Sequence, residues 1–148
     1  MGPYRPLVEE YIKAANRYAR RYRRPGFTWQ GLPVSAASIQ VLEYILENED
    51  LNQPMTRLAE RLGVTRGAFS KIVAQLCAQG LVEKRRPAAS GREYRLSLTE
   101  KGRGLYAAYS SFIREALFDA VFAELRVLPP EALGASLRVL RLINASQA

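Results

Sequence analysis

One stretch constrains this chain more than any other: Met55–Leu81, MTRLAERLGVTRGAFSKIVAQLCAQGL. Its spacing predicts two short helices around a tight turn. Leu58 and Leu62 give the first helix an apolar face. Gly63 follows, where a left-handed backbone is wanted. Val64 plugs back toward the core, and Thr65 is a good N-cap because its hydroxyl can accept a bond from an orphan backbone N–H. Phe69, Ile72, Val73 and Leu76 then recur at helical spacing until Gln79-Gly80 ends the second helix. Arg66, Gly67, Ser70 and Lys71 fall on its outer face, near its start. A helix-turn-helix that reads DNA needs this arrangement: a buried inner face, with small, polar and basic groups at the N-terminal end of the second helix. An ordinary helical hairpin in an all-α core would satisfy the same residues, so the surrounding chain has to decide.

Charge narrows the partners. Lys and Arg number 22 against 14 Asp and Glu in 148 residues, a net charge of +8 and a pI near 10.0. Such a balance fits a polyanion: DNA, RNA or an anionic membrane surface. The chain has 48% hydrophobic residues, enough for a real core and too many for a disordered segment. Its single cysteine, Cys77, and its lack of histidine exclude an intrachain disulfide, a Cys/His zinc site and a His-dependent triad. The N-terminus lacks the apolar core of a signal peptide, and no apolar run approaches the ~20 residues that span a bilayer. The expectation is a soluble, cytoplasmic protein with no membrane partner, no metal and no cofactor. With no phosphate loop and no activated nucleophile either, an enzyme is not expected.

In chain order, Tyr4 to about Tyr22 reads as an amphipathic helix, with Tyr4, Leu7, Val8, Tyr11, Ile12, Ala15, Tyr18, Ala19 and Tyr22 at three- and four-residue steps. Arg20, Arg21, Arg23 and Arg24 suit its C-terminus, where the carbonyls carry partial negative charge. Pro25-Gly26 breaks it, and Phe27–Pro33 reads as a loop holding Trp29. Ser35 reads as the N-cap of a helix with Ile39, Leu42, Ile45 and Leu46 inward. Asn48–Gln53 reads as a polar turn, and Pro54 sits near the first position of the next helix.

After Gly80 the period changes. Leu81–Arg86 and Glu93–Leu98 read as two short strands joined by the turn-rich Pro87–Gly91, a hairpin that carries Lys84, Arg85, Arg86, Arg92 and Arg95. A basic hairpin placed directly after a helix-turn-helix is a wing, whose tip can reach the minor groove or the backbone. Thr99 then caps a helix running to about Val127, roughly 40 Å at 1.5 Å per residue. Pro129-Pro130 stops it and opens a last helix bearing Leu133, Leu137, Leu140 and Ile143. The first helix, the far end of the long helix and the last helix all carry apolar faces that the small winged core cannot cover. A second copy is the economical cover; a closed monomeric bundle is the alternative.

These residues carry a resemblance. The run Met55–Val73, then Gly80-Leu-Val-Glu-Lys-Arg, then Leu98-Thr-Glu-Lys-Gly102, at these spacings and in this order of elements, resembles the multiple antibiotic resistance regulator (MarR) family of bacterial winged-helix transcription factors. The resemblance spans nearly the whole chain. It implies a mainly α fold with a small β-wing: a single domain, 1–148, with a winged helix-turn-helix DNA-binding region at 34–98 and dimerisation helices at 1–33 and 99–148. It also implies a homodimeric repressor on a pseudo-palindromic operator, released by a small, often aromatic or phenolic, effector bound between the dimerisation helices and the winged region. One departure stands out: the family often has an Asp two residues before the wing Arg, and here Ser90 precedes Arg92. Redox-sensing members carry their reactive cysteine near the first helix, whereas Cys77 lies late in the recognition helix beside core positions.

The expected partners are double-stranded DNA, a second copy and a small-molecule effector. Thr65, Arg66, Gly67, Ala68, Ser70 and Lys71 are the recognition-helix candidates. Arg66 or Lys71 would pair with guanine, Ala68 would touch a thymine methyl, Gly67 would permit close approach, and Thr65 or Ser70 would meet phosphate. Arg85, Arg86, Arg92 and Arg95 are the wing candidates. Tyr11, Tyr18, Phe27, Trp29, Tyr44 and Tyr106 are candidates for an effector pocket, chosen for aromaticity and expected location. The rival functions are a winged helix that binds RNA and one that serves as a protein-interaction module without operator binding.

Overall fold

Helices dominate the computed structural model, which describes residues 2–22, 24–51, 53–85 and 94–145. After a single 3-10 turn come α1 (Arg5–Arg21), the strands β1 (Pro25–Trp29) and β2 (Leu32–Ser35), α2 (Ala36–Leu51), α3 (Met55–Leu62) and α4 (Arg66–Ala78). The strands β3 (Val82–Arg85) and β4 (Arg95–Leu98) follow, then α5 (Glu100–Ile113), a π-helical turn (Arg114–Phe118), α6 (Asp119–Arg126) and α7 (Pro130–Ala145). The chain divides into two compact units, Met1–Tyr109 and Ser110–Ala148.

The core of the first unit is built around α2. Val41, Leu42 and Ile45 are fully buried, as are Leu58 of α3, Phe69, Val73 and Leu76 of α4, Leu81, and Leu105 of α5. The expected inner positions Ile39, Leu42 and Ile45 are all there, with Leu46 packed partly against them. Ser35 caps α2 as expected: its hydroxyl accepts the Ser38 N–H at 3.2 Å and lies 3.0 Å from the Ser38 hydroxyl.

Two segments differ from the sequence reading. Phe27–Pro33 is not a loop but most of a β-hairpin, with Phe27 opposite Val34 and Trp29 opposite Leu32. Its turn is Gln30-Gly31, both at positive φ (49° and 79°), the geometry of a two-residue hairpin whose twist matches its strands. Phe27, Trp29, Leu32 and Val34 face inward, while Thr28 and Pro33 face out. The second difference is Asn48–Gln53: α2 continues to Leu51. The Asn48 side chain then closes the turn itself, accepting the Gln53 N–H at 2.8 Å and donating to the Gln53 carbonyl at 2.9 Å.

The first turn of α5 is anchored on the end of α4. The Thr99 hydroxyl donates to the Gly80 carbonyl at 2.7 Å and accepts the Gly102 N–H at 3.1 Å, so Thr99 is the expected cap and a tether besides. Lys101 Nζ donates to the Gln79 carbonyl at 3.0 Å, and the Thr99 N–H donates to the Leu81 carbonyl at 3.1 Å. Gly102 sits so close that a Cβ there would lie 2.1 Å from the Leu81 carbonyl oxygen.

The second unit has a different character. None of its described residues is buried. Leu117, Phe122, Leu137, Leu140 and Leu142 are exposed by 49%, 44%, 48%, 49% and 72%, a density of apolar surface that a soluble chain does not leave open. The sequence reading of one long helix to about Val127 is met by helical segments running to Arg126, but the Asp119 N–H bonds the Arg114 carbonyl across a π turn that the apolar spacing did not reveal. No helix among the described residues is long and apolar enough to cross a membrane.

Gly102→Ala is expected to cost about 3 kcal/mol, because backbone rather than a flexible side chain must yield. Gly67→Ala, with nothing within 4 Å of its added methyl, is expected to leave stability unchanged or raise it by up to about 1 kcal/mol. Denaturant melts of the two variants check this, and equal midpoints would refute the tight seat at Gly102.

Candidate nucleic-acid interface

The helix-turn-helix forms where the sequence placed it. Gly63 takes φ 69°, ending α3 with its N–H on the Glu60 carbonyl at 3.0 Å, and the Val64 N–H reaches the Ala59 carbonyl at 3.1 Å. Thr65 then starts α4, its hydroxyl accepting the Ala68 N–H at 3.2 Å. With Phe69, Val73 and Leu76 turned into the core, the opposite face is fixed: Arg66, Gly67 and Lys71 are exposed, Ala68 and Ser70 half-buried. Neither Arg66 nor Lys71 makes an ion pair among the described residues. Arg57, Arg61 and Arg103 do, with Glu60, Glu47 and Glu49. The helix thus presents two unneutralised cations in its first two turns. Gln75, exposed one turn beyond Lys71, continues this face and was missed in the sequence; its spacing of four from Lys71 was the available signal.

The wing strands pair Val82 with Leu98, Glu83 with Ser97, Lys84 with Leu96 and Arg85 with Arg95. Val82 and Leu98 are buried, so one face of the hairpin belongs to the core. The other face is polar: Glu83 accepts the Ser97 hydroxyl at 3.1 Å and pairs with Arg85 at 2.6 Å. Arg85 and Arg95 stand directly opposite, an unfavourable juxtaposition of like charges that Glu83 relieves on one side only. Lys84 is exposed as well. The expected wing residues Arg86 and Arg92, with Ser90, lie outside the described residues, as does Arg23 of the α1 cluster. Of that cluster, Arg20 and Arg21 occupy the last turn of α1, where cations suit the helix end.

The base of the wing is tied to α2. Glu49 accepts the Leu98 N–H at 2.8 Å with one oxygen and holds the Arg103 guanidinium with the other. This link joins residues 49, 98 and 103, far apart in sequence, and periodicity gave no sign of it.

The aromatic candidates are partly assembled. Phe27 meets Tyr109 edge-on at 5.4 Å between centroids, Trp29 packs against Gly104, and Tyr106 donates its hydroxyl to Glu43 at 3.0 Å. The Tyr18 ring centroid is 5.2 Å from that of Tyr22, with Gln40, Tyr44 and Tyr109 nearby. Burial raises the hydroxyl pKa values of both Tyr18 and Tyr109, and the charge of Glu43 adds to the rise at Tyr109. The Tyr44 ring carries the Arg61 guanidinium 4.5 Å from its centroid. Tyr11, two turns earlier on α1, makes none of these contacts. Tyr22, Gln40, Glu43 and Tyr109 were missing from the sequence list; Tyr22, Gln40 and Tyr109 fall at helical spacing from residues that were on it, whereas Glu43 does not. No group of three or more metal-ligating side chains occurs among the described residues.

Fold and surface together define a winged helix-turn-helix. Residues 30–93 match the model of the MarR family, the family that the motifs in the sequence resemble. Solved structures of similar fold include Streptococcus pneumoniae FabT in complex with DNA (TM-score 0.63, 18% identity, covering 95% of this chain and 94% of that one). They also include the Staphylococcus aureus MepR–DNA complex (TM-score 0.60, 15% identity, 96% and 94%). A third is Streptomyces coelicolor PcaV, a transcriptional regulator in complex with its natural ligand (TM-score 0.59, 18% identity, 100% and 95%). At these identities the likeness is one of fold. No curated protein matches the chain by sequence.

Cys77 is half-buried, and that burial raises its thiol pKa against the smaller opposing pull of Lys84. Its alkylation by iodoacetamide is therefore expected to be slower than that of a free cysteine at neutral pH and to keep rising with pH beyond the ordinary thiol range of about 8.5, where a free cysteine levels off. A reaction already complete at neutral pH on the free-cysteine timescale would contradict a structural thiol.

Proposed function

We propose that this chain is a transcriptional regulator that binds double-stranded DNA as a homodimer and is released from its operator by a small-molecule effector. One observation carries the proposal: within the segment that matches the MarR family, α4 buries Phe69, Val73 and Leu76 completely and turns Arg66 and Lys71, both without ion pairs among the described residues, to the outside. In this reading Arg66, Lys71 and Gln75 meet base edges in the major groove, Gly67 and Ala68 allow close approach, and Thr65 and Ser70 meet phosphates. Arg85, Arg86, Arg92 and Arg95 serve the wing. The facing of Arg85 and Arg95 supports a polyanionic partner, which would turn a like-charge cost into attraction.

The DNA-binding region is then 34–98, with 1–33 and 99–148 as dimerisation helices. The uncovered side chains Leu117, Phe122, Leu137 and Leu140 support this, together with Leu7 and Ile12 on α1 at 65% and 50% exposure. A second copy places two α4 helices about 34 Å apart, one turn of B-DNA. FabT and MepR, similar in fold, were solved with DNA, and PcaV with a ligand, which supports both the partner and the effector. Repression is the sign of regulation we propose, since an effector that favours misplaced recognition helices relieves it directly.

Duplexes selected from a random pool provide the test. Arg66→Ala or Lys71→Ala is expected to weaken binding to the selected duplex by about 1–3 kcal/mol, some 5- to 150-fold, and binding to random duplex much less. Arg92→Ala should weaken binding with the dimer intact. Equal losses on both duplexes would move a residue to the phosphate class. Absence of any duplex binding at low salt would remove the proposal, and preference for structured RNA at matched salt would replace it.

Sedimentation tests the assembly. The wild-type chain should run as a dimer, and Leu137→Asp with Leu140→Asp should give a monomer whose operator affinity falls at least about tenfold, as the two half-sites lose their coupling. A variant that remains dimeric would place the interface elsewhere.

A further inference from the structure

A carboxylate of α2 lies beside the rings gathered at that helix, and this sets the charge of what they can hold. Gln40, Glu43, Tyr44 and Glu47 lie on one face of α2 at helical spacing. Glu47 is engaged by Arg61 at 2.7 Å, and Glu49 by Arg103. Glu43 differs: it accepts the Tyr106 hydroxyl, a neutral donor, and forms no ion pair among the described residues, the charge of Arg61 acting on it from beyond ion-pair distance. Tyr109 lies near enough to feel its charge, and the rings connect outward from there: Phe27 meets Tyr109 edge-on, and Tyr18 lies near Tyr44 and Tyr109. The Tyr18 ring is still 49% exposed, so the cluster is open along α1. Glu43 also acts on its surroundings, since its charge helps to hold the Tyr109 hydroxyl in its protonated form.

We infer that this cluster is the effector site and that it selects an aromatic cation, with Glu43 as the counter-ion and Tyr18, Tyr44 and Tyr109 as the ring faces. The inference rests on the effector reading above and narrows it. A phenolic acid would bring a second carboxylate beside Glu43, and like charges a few ångströms apart in a half-buried site repel. A cation meets the opposite: a carboxylate already oriented by Tyr106, and electron-rich ring faces. The Arg61 guanidinium, 4.5 Å from the Tyr44 ring centroid, shows one of these rings already receiving a cation. The net charge of +8 does not reverse this preference, because fields from charges beyond about 8 Å are largely screened at physiological salt.

The sole tryptophan, Trp29, packs on Gly104 of the same unit and reports on the site by its fluorescence. The test titrates the full chain with tetraphenylphosphonium, with its anionic counterpart of the same shape, tetraphenylborate, and with salicylate, in 0.15 M salt. The expected result is saturable quenching or shift by the phosphonium at least about tenfold tighter than by either anion. Glu43→Gln, which keeps an acceptor for Tyr106, should weaken phosphonium binding at least about tenfold while melting within a few degrees of wild type. Glu43→Asp should restore part of the affinity. Tighter binding of salicylate or tetraphenylborate, or phosphonium binding unchanged in Glu43→Gln, would overturn the charge assignment and leave an effector site of another class. If none of the three probes binds saturably, this cluster is not an effector site and both readings of it fall. Duplex binding of the ligand-free chain, measured in parallel, is independent of all these outcomes.

Discussion

The carbonyl of Leu81 lies where any side chain at residue 102 would begin. That contact fixes the end of the recognition helix to the start of α5 with no adjustable group between them. The surrounding bonds add direction. Thr99 holds the Gly80 carbonyl, Lys101 the Gln79 carbonyl, and the Thr99 N–H the Leu81 carbonyl. These carbonyls lie just past the end of α4, whose own last carbonyls are met by the N–H groups of Gln79, Gly80 and Leu81, so each bond to the start of α5 satisfies a backbone group that would otherwise need water. The wing begins one residue later and returns directly before Thr99. Recognition helix, wing base and long helix therefore share one junction, and a rotation of α5 about its own axis cannot leave α4 where it was.

Charge is distributed by the same logic. Glu43, Glu47 and Glu49 of α2 are used on other elements, on the Tyr106 hydroxyl, on Arg61, and on Arg103 with the Leu98 N–H, so that each ties another element to the central helix. The cations of α4 and the wing remain outward, Arg66 and Lys71 without partners among the described residues and Arg85 with only Glu83. Exposed ion pairs contribute little stability, commonly under about 1 kcal/mol. Leaving these cations unpaired therefore costs the fold almost nothing, while each would release counterions on meeting a phosphate backbone.

The helix-turn-helix was legible because every local signal agreed: Gly63 at a left-handed position, Thr65 as cap, and an apolar step of three and four that met a single core. The caps Ser35 and Thr99 were legible for the same reason. The hairpin of Pro25–Ser35 was not, because two prolines and Gly26 read as loop formers. The alternation of Phe27, Trp29, Leu32 and Val34 around Gln30-Gly31 becomes decisive only once Val34 is known to reach the core. The π turn at Arg114–Phe118 slips the helical phase by one residue inside an otherwise regular apolar stripe, so periodicity absorbs it. The aromatic candidates were named by residue type. Glu43, which decides their chemistry, was invisible because its partner Tyr106 is 63 positions away.

The two compact units differ in how much apolar surface they bury. Met1–Tyr109 has a closed core, whereas Ser110–Ala148 has no buried residue among those described. Apolar burial is worth about 25 cal/mol per Å². A set of leucines and phenylalanines left roughly half exposed therefore forfeits much of what it could contribute, unless a partner surface supplies the remainder. If that partner is a second copy, order in the terminal helices becomes conditional on assembly, and assembly sets the spacing of two recognition helices. If an effector acts on such an assembly, the shared junction of α5, the wing base and α4 is where a small change of packing would reach the recognition helix.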